Sequence, residues 1–271
     1  MHFARLNGVT LHYEMTGDVA HRPALVFANS LGSDLRIWRA VTDRLAGEYA
    51  MLAYDLRGHG LSDLGPLPLT IVDHATDLAA LIAHVGMRRV IVCGVSAGGQ
   101  VALALAAARP DLLRALVLCD TAAVIGTAAY WDARIANIEA GGLDAVADAV
   151  LERWFTAAFR RPENPAYAGY RNMFVRQSAA GYIATARAVR DADLVAPAGR
   201  LALPTLCLAG EADTSTPPAL VAALAALIPG ARFELIEGAG HLPCIEQPAA
   251  FCDAVRAFLA LPVTEMTNVS H

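Results

Sequence analysis

Apolar runs of strand length alternate with segments of helical spacing along most of this chain, and that alternation narrows the fold more than any other feature. ALVFANS precedes DLRIWRAVTDRLAG, AMLAYDL precedes TIVDHATDLAALIAHVG, RVIVCGVS precedes AGGQVALALAAARP, and LRALVLCDT carries the series on. Strands this poor in polar residues must be covered on both faces, which a parallel sheet flanked by helices provides. The class is α/β. The first residues differ: FARLNGVTLHYEMTG reads as two short strands turning at Asn7-Gly8, a strong hairpin signal. The alternation stops near Thr121 and resumes at LPTLCLAGEAD, PPALVAALAALIPG, RFELIEGAGH and QPAAFCDAVRAFLA. The stretch between is helix-rich, lacks a strand signal and holds two of the three tryptophans. The expected organisation is a first core part over residues 1–120, an inserted helical cap over 121–200 and a second core part over 201–271, with the polar TEMTNVSH end frayed.

The 271 residues, 56% of them hydrophobic, suffice for one large core with an inserted lobe. A net charge of −5, without a run of like charges, offers neither nucleic acid nor an anionic membrane a surface to bind. All 21 cationic side chains are arginine. The absence of lysine removes Schiff-base chemistry, lysine-dependent phosphate loops and serine–lysine dyads together. Five cysteines, an odd number, include three in apolar runs (Cys93, Cys119 and Cys207), and with Cys244 and Cys252 they read as reduced core residues. The N-terminus has no apolar segment of signal-peptide length, and no apolar stretch is long enough to span a bilayer. The expectation is a cytoplasmic protein, with a homo-oligomer compatible but not indicated.

CGVSAGGQ sets one serine among glycines between an apolar run and a helical one. A strand that turns abruptly into a helix forces the turning residue into unfavourable φ/ψ, and neighbouring side chains would collide with the returning backbone. Gly94 and Gly98 relieve that collision in a G-x-S-x-G pattern, which projects the Ser96 hydroxyl beyond the sheet as a nucleophile. A serine needs a base within reach. His241, after the last strand signal, is the expected one; His59, in the Gly-flanked DLRGHG, is its rival and fits a structural role better. Asp213 in LAGEADTSTPP follows the preceding strand and completes the order Ser, Asp, His, with Asp120 at the end of ALVLCD a competing acid and Glu211 a weaker one. The Ala97 and Leu31 N–H groups are the expected oxyanion donors, Leu31 lying in the NSLGSD loop where Gly32 allows a tight turn.

These residues resemble the α/β-hydrolase superfamily over essentially the whole chain. The resemblance implies an α/β-hydrolase fold, a mostly parallel central sheet flanked by helices with an inserted helical cap. FANSLGSDLRIW, AYDLRGHGLSD, GVSAGGQ, LCDTAAVIGTAAYWDARI and ERWFTAAF together look like 3-oxoadipate enol-lactonases of the β-ketoadipate pathway for aromatic catabolism. The cap segments 121–135 and 152–159 discriminate, because many hydrolases share the core motifs. Residues 29–32 match that family's Asn-Ser-Leu-Gly loop, whereas Ala97 stands where methionine is often found. The resemblance implies hydrolysis of 3-oxoadipate enol-lactone, a small anionic lactone, to 3-oxoadipate through an acyl-enzyme on Ser96, with no metal and no organic cofactor. The substrate's free carboxylate needs a cationic or amide partner in a partly dry pocket. Trp131 and Arg134, three residues apart in YWDARI, share a helix face. Arg134 is expected to receive the carboxylate and Trp131 to wall the ring, against the alternative of a surface arginine beside a cap-core tryptophan. Trp154 reads as cap packing.

The same triad serves general carboxylesterases, other lactonases and C–C hydrolases of ring-cleavage products, and the same fold serves non-catalytic ligand receptors. Epoxide hydrolases and haloalkane dehalogenases need a carboxylate where Ser96 stands. Dinucleotide enzymes are disfavoured because no G-x-G-x-x-G follows a strand. His241 and Cys244 form H-x-x-C without a second pair, a weak metal signal.

Overall fold

Asn7 and Gly8 both have positive φ, 49° and 80°, the conformation that a two-residue turn matched to strand twist demands. The turn joins β1 (His2–Leu6) to β2 (Val9–Thr16) as an antiparallel pair with Leu6 opposite Val9. The remaining strands are β3 (Ala24–Ala28), β4 (Ala50–Tyr54), β5 (Val90–Val95), β6 (Leu113–Cys119), β7 (Thr205–Gly210) and β8 (Arg232–Ile236). They form one eight-stranded sheet in the order β1-β2-β4-β3-β5-β6-β7-β8. β2 meets β4 antiparallel, and every pairing beyond β4 is parallel. All residues of β3, β4, β5 and β7 are buried, as strands covered on both faces must be, while β8 at the edge is mostly half-exposed. The structure, a computed structural model, describes residues 1–261, so the expectation for TEMTNVSH lies outside the described residues.

The helices are α1 (Arg39–Arg44), α2 (Ile71–His84), α3 (Ala97–Ala108), α4 (Ala128–Gly141), α5 (Asp144–Trp154), α6 (Pro165–Val175), α7 (Ala179–Arg190), α8 (Val195–Ala198), α9 (Pro218–Leu227), α10 (Pro243–Glu246) and α11 (Pro248–Leu259). Trp38, fully buried, packs between Phe27 of β3 and Phe251 of α11, with ring centroids 4.9 and 5.8 Å away. Helices α4 to α8 fall between β6 and β7 and add no strand to the sheet. Side-chain caps start three of them: Thr127, Asn164 and Ser178 each accept from a backbone N–H of the first turn. The backbone of α7 crosses the 58–60 loop closely enough that a Cβ at Gly181 would strike the Gly58 carbonyl. Gln177 fixes the crossing, accepting from Gly60 N–H (2.8 Å) and donating to Asp34 Oδ2 (3.1 Å). No helix of the described residues is long and apolar enough to cross a membrane.

Candidate active site

Parallel register aligns Ala28 with Gly94, Val95 with Cys119, Cys119 with Leu208 and Gly210 with Ile236. The loops that leave these strands therefore share one edge of the sheet, and they carry Leu31, Ser96, Asp120, Asp213 and His241.

Ser96 is the single residue between β5 and α3. Its φ of 56° and ψ of −120° lie outside the regions side chains prefer, a strain on the order of 1–3 kcal/mol that the surroundings must hold. They do so through hydrogen bonds: Ser96 N–H donates to Cys119 O (3.0 Å), and its carbonyl accepts from Gly99 N–H (2.9 Å) and Thr121 Oγ1 (2.7 Å). A Cβ at Gly94 would meet the Gly98 carbonyl, one at Gly98 the Ala28 carbonyl and one at Gly99 the Thr121 side chain. Gly99, outside the G-x-S-x-G pattern, is thus equally required. The helix starts at Ala97, so the Ala97 N–H is one of the first-turn donors that have no partner within the helix.

Leu31 sits in a turn that its neighbours fix. Asn29 Nδ2 donates to Ser33 O (2.7 Å), Ser33 Oγ to Ser30 O (2.8 Å) and Gly32 N–H to His59 Nε2 (3.0 Å). Gly32 has φ 80°, and the rings of Phe174 and Tyr182 leave no space for a side chain there. His59 is buried, with Nδ1 3.2 Å from Arg57 O, and burial pushes its pKa down to about 4. It is a neutral acceptor that braces this loop.

His241 Nδ1 lies 2.8 Å from Asp213 Oδ2. Asp213 also accepts from Ser215 N–H (2.7 Å) and Thr216 Oγ1 (2.8 Å). Burial pushes this carboxyl up, but the neighbouring His241 and the hydrogen bonds outweigh it and bring its pKa to about 2. An ionised Asp213 favours the imidazole proton on Nδ1, which leaves Nε2 with a free lone pair. Glu211 is exposed and accepts from Gly238 N–H (3.1 Å). Asp120 is buried beside Asp213, and one oxygen of each lies within 4.8 Å of the other and of a ring nitrogen of His241. Among the described residues this trio alone has the convergence of a metal site. Its atoms are engaged in hydrogen bonds, Asp213 with His241 and Asp120 with Gly210 N–H (2.8 Å) and Cys119 Sγ (2.9 Å).

Ser96, Leu31 and His241 open onto one cavity of about 230 Å³, whose other walls come from α4, α5 and α7, the 125–127 loop, Ser30, and Ser215 and Thr216 after β7. Trp131 and Arg134 line it. So does Trp154, which also packs on Phe155 and Phe174, and so do Arg153, Tyr130 and Tyr182, which sequence reasoning missed. Arg134 donates to Tyr182 Oη (3.2 Å) and Arg153 to Tyr130 Oη (2.9 Å), and both guanidiniums lie about 5 Å from the Tyr130 ring, at 4.8 and 5.0 Å. No carboxylate lines the cavity. Two cations therefore face a small space without an acidic partner in its wall, which suits a small anion. A larger groove of about 900 Å³ between residues 67–72 and α7 contains none of these groups.

Residues 25–254 match the pattern described as the alpha/beta hydrolase family. The chain belongs to that family. This alpha/beta hydrolase is 34% identical over 251 residues to 3-oxoadipate enol-lactonase 2 of Acinetobacter baylyi, covering 93% of each chain. It is 31% identical over 253 residues to 3-oxoadipate enol-lactonase 1 of the same organism, covering 93% of this chain and 94% of the relative. The crystal structure of the enol-lactonase from Burkholderia xenovorans LB400 superposes with a TM-score of 0.92 at 36% identity, over 96% of this chain and 100% of the other. Membership and these relatives support hydrolase activity on lactones for the alpha/beta hydrolase described here.

Proposed function

We propose that this protein opens the ring of 3-oxoadipate enol-lactone to give 3-oxoadipate through an acyl-enzyme on Ser96. The observation that carries the reading is the meeting of Ser96, His241 and the guanidiniums of Arg134 and Arg153 in one cavity with no acid in its wall. The substrate's acetate arm binds the arginines, and Trp131, held by its Nε1 donating to Ile125 O (2.6 Å), walls the ring. Ser96 Oγ attacks the lactone carbonyl as its proton passes to His241 Nε2, whose positive charge Asp213 stabilises. The tetrahedral oxyanion accepts from the Leu31 and Ala97 N–H groups. On collapse the ring C–O bond breaks, and the departing enolate takes the proton from His241 and tautomerises to the ketone. Water, deprotonated by His241, attacks the ester, and Ser96 leaves with that proton. These steps need no metal or organic cofactor. With this activity goes a role in aromatic-compound catabolism and a cytoplasmic setting, which five buried free thiols suit.

Turnover of the enol-lactone by purified protein, beside aryl esters, neutral lactones and ring-cleavage dienones, tests the proposal. The enol-lactone should show the highest kcat/KM of the panel. A far higher value for simple aryl esters would make the protein a general carboxylesterase, and C–C cleavage of a dienone would make it a hydrolase of that kind.

A further inference from the structure

Asp120 takes no step in the chemistry above, yet it is a fully buried carboxyl on a backbone with φ 44°, which side chains seldom adopt. It follows β6, and Asp213 comes from the loop after β7. These strands are neighbours, so the two carboxyls meet beside His241. Two carboxylates this close and out of water cannot both ionise; one keeps the proton. Hydrogen bonding decides which. Asp213 accepts from Ser215 N–H, Thr216 Oγ1 and the imidazole, all of which favour its anion. Asp120 has one amide, from Gly210, and the weak thiol donor of Cys119. Burial and the charge on Asp213 hold Asp120 well above the usual carboxylate range, and with an oxygen of each within 4.8 Å of the other, a proton on Asp120 is the one group that can turn their repulsion into a donor–acceptor pair.

We infer that Asp120 is a positioning residue: as a neutral carboxylic acid it donates to the Asp213 carboxylate, fixes its orientation toward His241 and limits how far it raises the basicity of the imidazole. The inference rests on the triad reading proposed above. The groups facing the cluster are Cys119 from β6, Asp213 and Thr216 from the loop after β7, His241 from the loop after β8 and Cys244 from α10, with Ser96, Arg134 and Arg153 around the cavity. Burial keeps both thiols neutral, so neither adds a competing charge.

The test is an NMR titration of His241 together with the pH profile of kcat/KM in Asp120→Asn and Asp120→Leu. Asparagine keeps a donor toward Asp213 without an ionisable proton; leucine removes the donor. With the donor gone Asp213 binds protons more strongly. In Asp120→Leu the His241 pKa and the acid limb of kcat/KM should therefore rise together by about one pH unit, with KM unchanged within about twofold. Asp120→Asn should stay within about 0.3 pH unit of the parent protein. An unshifted His241 in folded Asp120→Leu overturns the inference, as does an asparagine variant that shifts like the leucine one. Asp120→Ala serves in the same way should the leucine variant not fold. The titration needs no substrate, so it stays decisive for Asp120 even if Ser96→Ala retains full turnover, the result that would instead overturn the nucleophile reading.

Discussion

Ser96 is held in a conformation it would not choose, and Gly94, Gly98 and Gly99 lie where a Cβ would strike the backbone or side chains around that turn, the geometry the proposed nucleophile requires. Ser96→Ala should lower kcat by about 10⁴- to 10⁶-fold while leaving the fold intact, as steady-state rates and circular dichroism would check. Arg134→Ala should raise KM by roughly ten- to a hundredfold and change kcat less, the loss expected for one charge-assisted hydrogen bond to a substrate carboxylate. Unchanged KM in both Arg134→Ala and Arg153→Ala would remove the cationic pair from binding. The candidate triad is readable in the sequence because each member follows a strand signal, but order does not separate Asp213 from Asp120, since both follow a strand and lie between Ser96 and His241; the 2.8 Å contact of Asp213 with His241 Nδ1 belongs to the folded chain. Arg153 is not legible in that way. ERWF reads as cap packing around Trp154, and only the approach of α5 to α4 turns Arg153 and Arg134 onto the same tyrosine. Asp120 appears in the sequence as a rival acid; the hydrogen bonds that make it an accessory one belong to the folded chain.

The strand-to-helix junction tolerates little change. Gly98→Ala should cost several kcal/mol, because the added methyl meets backbone carbonyls of Ala28 and Asn29 that cannot rotate away, and urea unfolding measures the loss. Gln177→Ala removes two hydrogen bonds to the core, so amide exchange in α7 should quicken while exchange in β5 stays slow. Element types are readable from period and length, since β3 and β5 carry no polar side chain and β7 carries none after Thr205. One boundary is not. DLRIWRAVTDRLAG looks like a single helix but forms a 3₁₀ turn at Leu35–Trp38 followed by the short α1. The start is fixed from outside, where Leu35 N–H donates to Asp55 Oδ1 (2.8 Å) and Trp38 is wedged between Phe27 and Phe251.

Across the whole molecule, two buried histidines tie stability to pH. Burial pushes His59 down to about 4 and His74 to about 3, the latter with its Nε2 3.2 Å from Thr185 Oγ1 of α7. Unfolded, each would titrate near 6.5. Below that pH the unfolded chain binds more protons than the folded one, so these groups stabilise the fold above about 6.5, and their contribution is lost as pH falls toward 3–4. Calorimetry between pH 7 and 4 should show a falling Tm, with a shallower slope in His74→Gln; equal slopes would remove His74 as a source. The central claim, that one activated serine stands at the strand-to-helix junction, is tested most directly by mapping the site labelled by a fluorophosphonate. A single adduct on Ser96, absent in Ser96→Ala and strongly slowed in His241→Ala, is the predicted result. Equal labelling of Ser96→Ala, or an adduct on another residue alone, would contradict it.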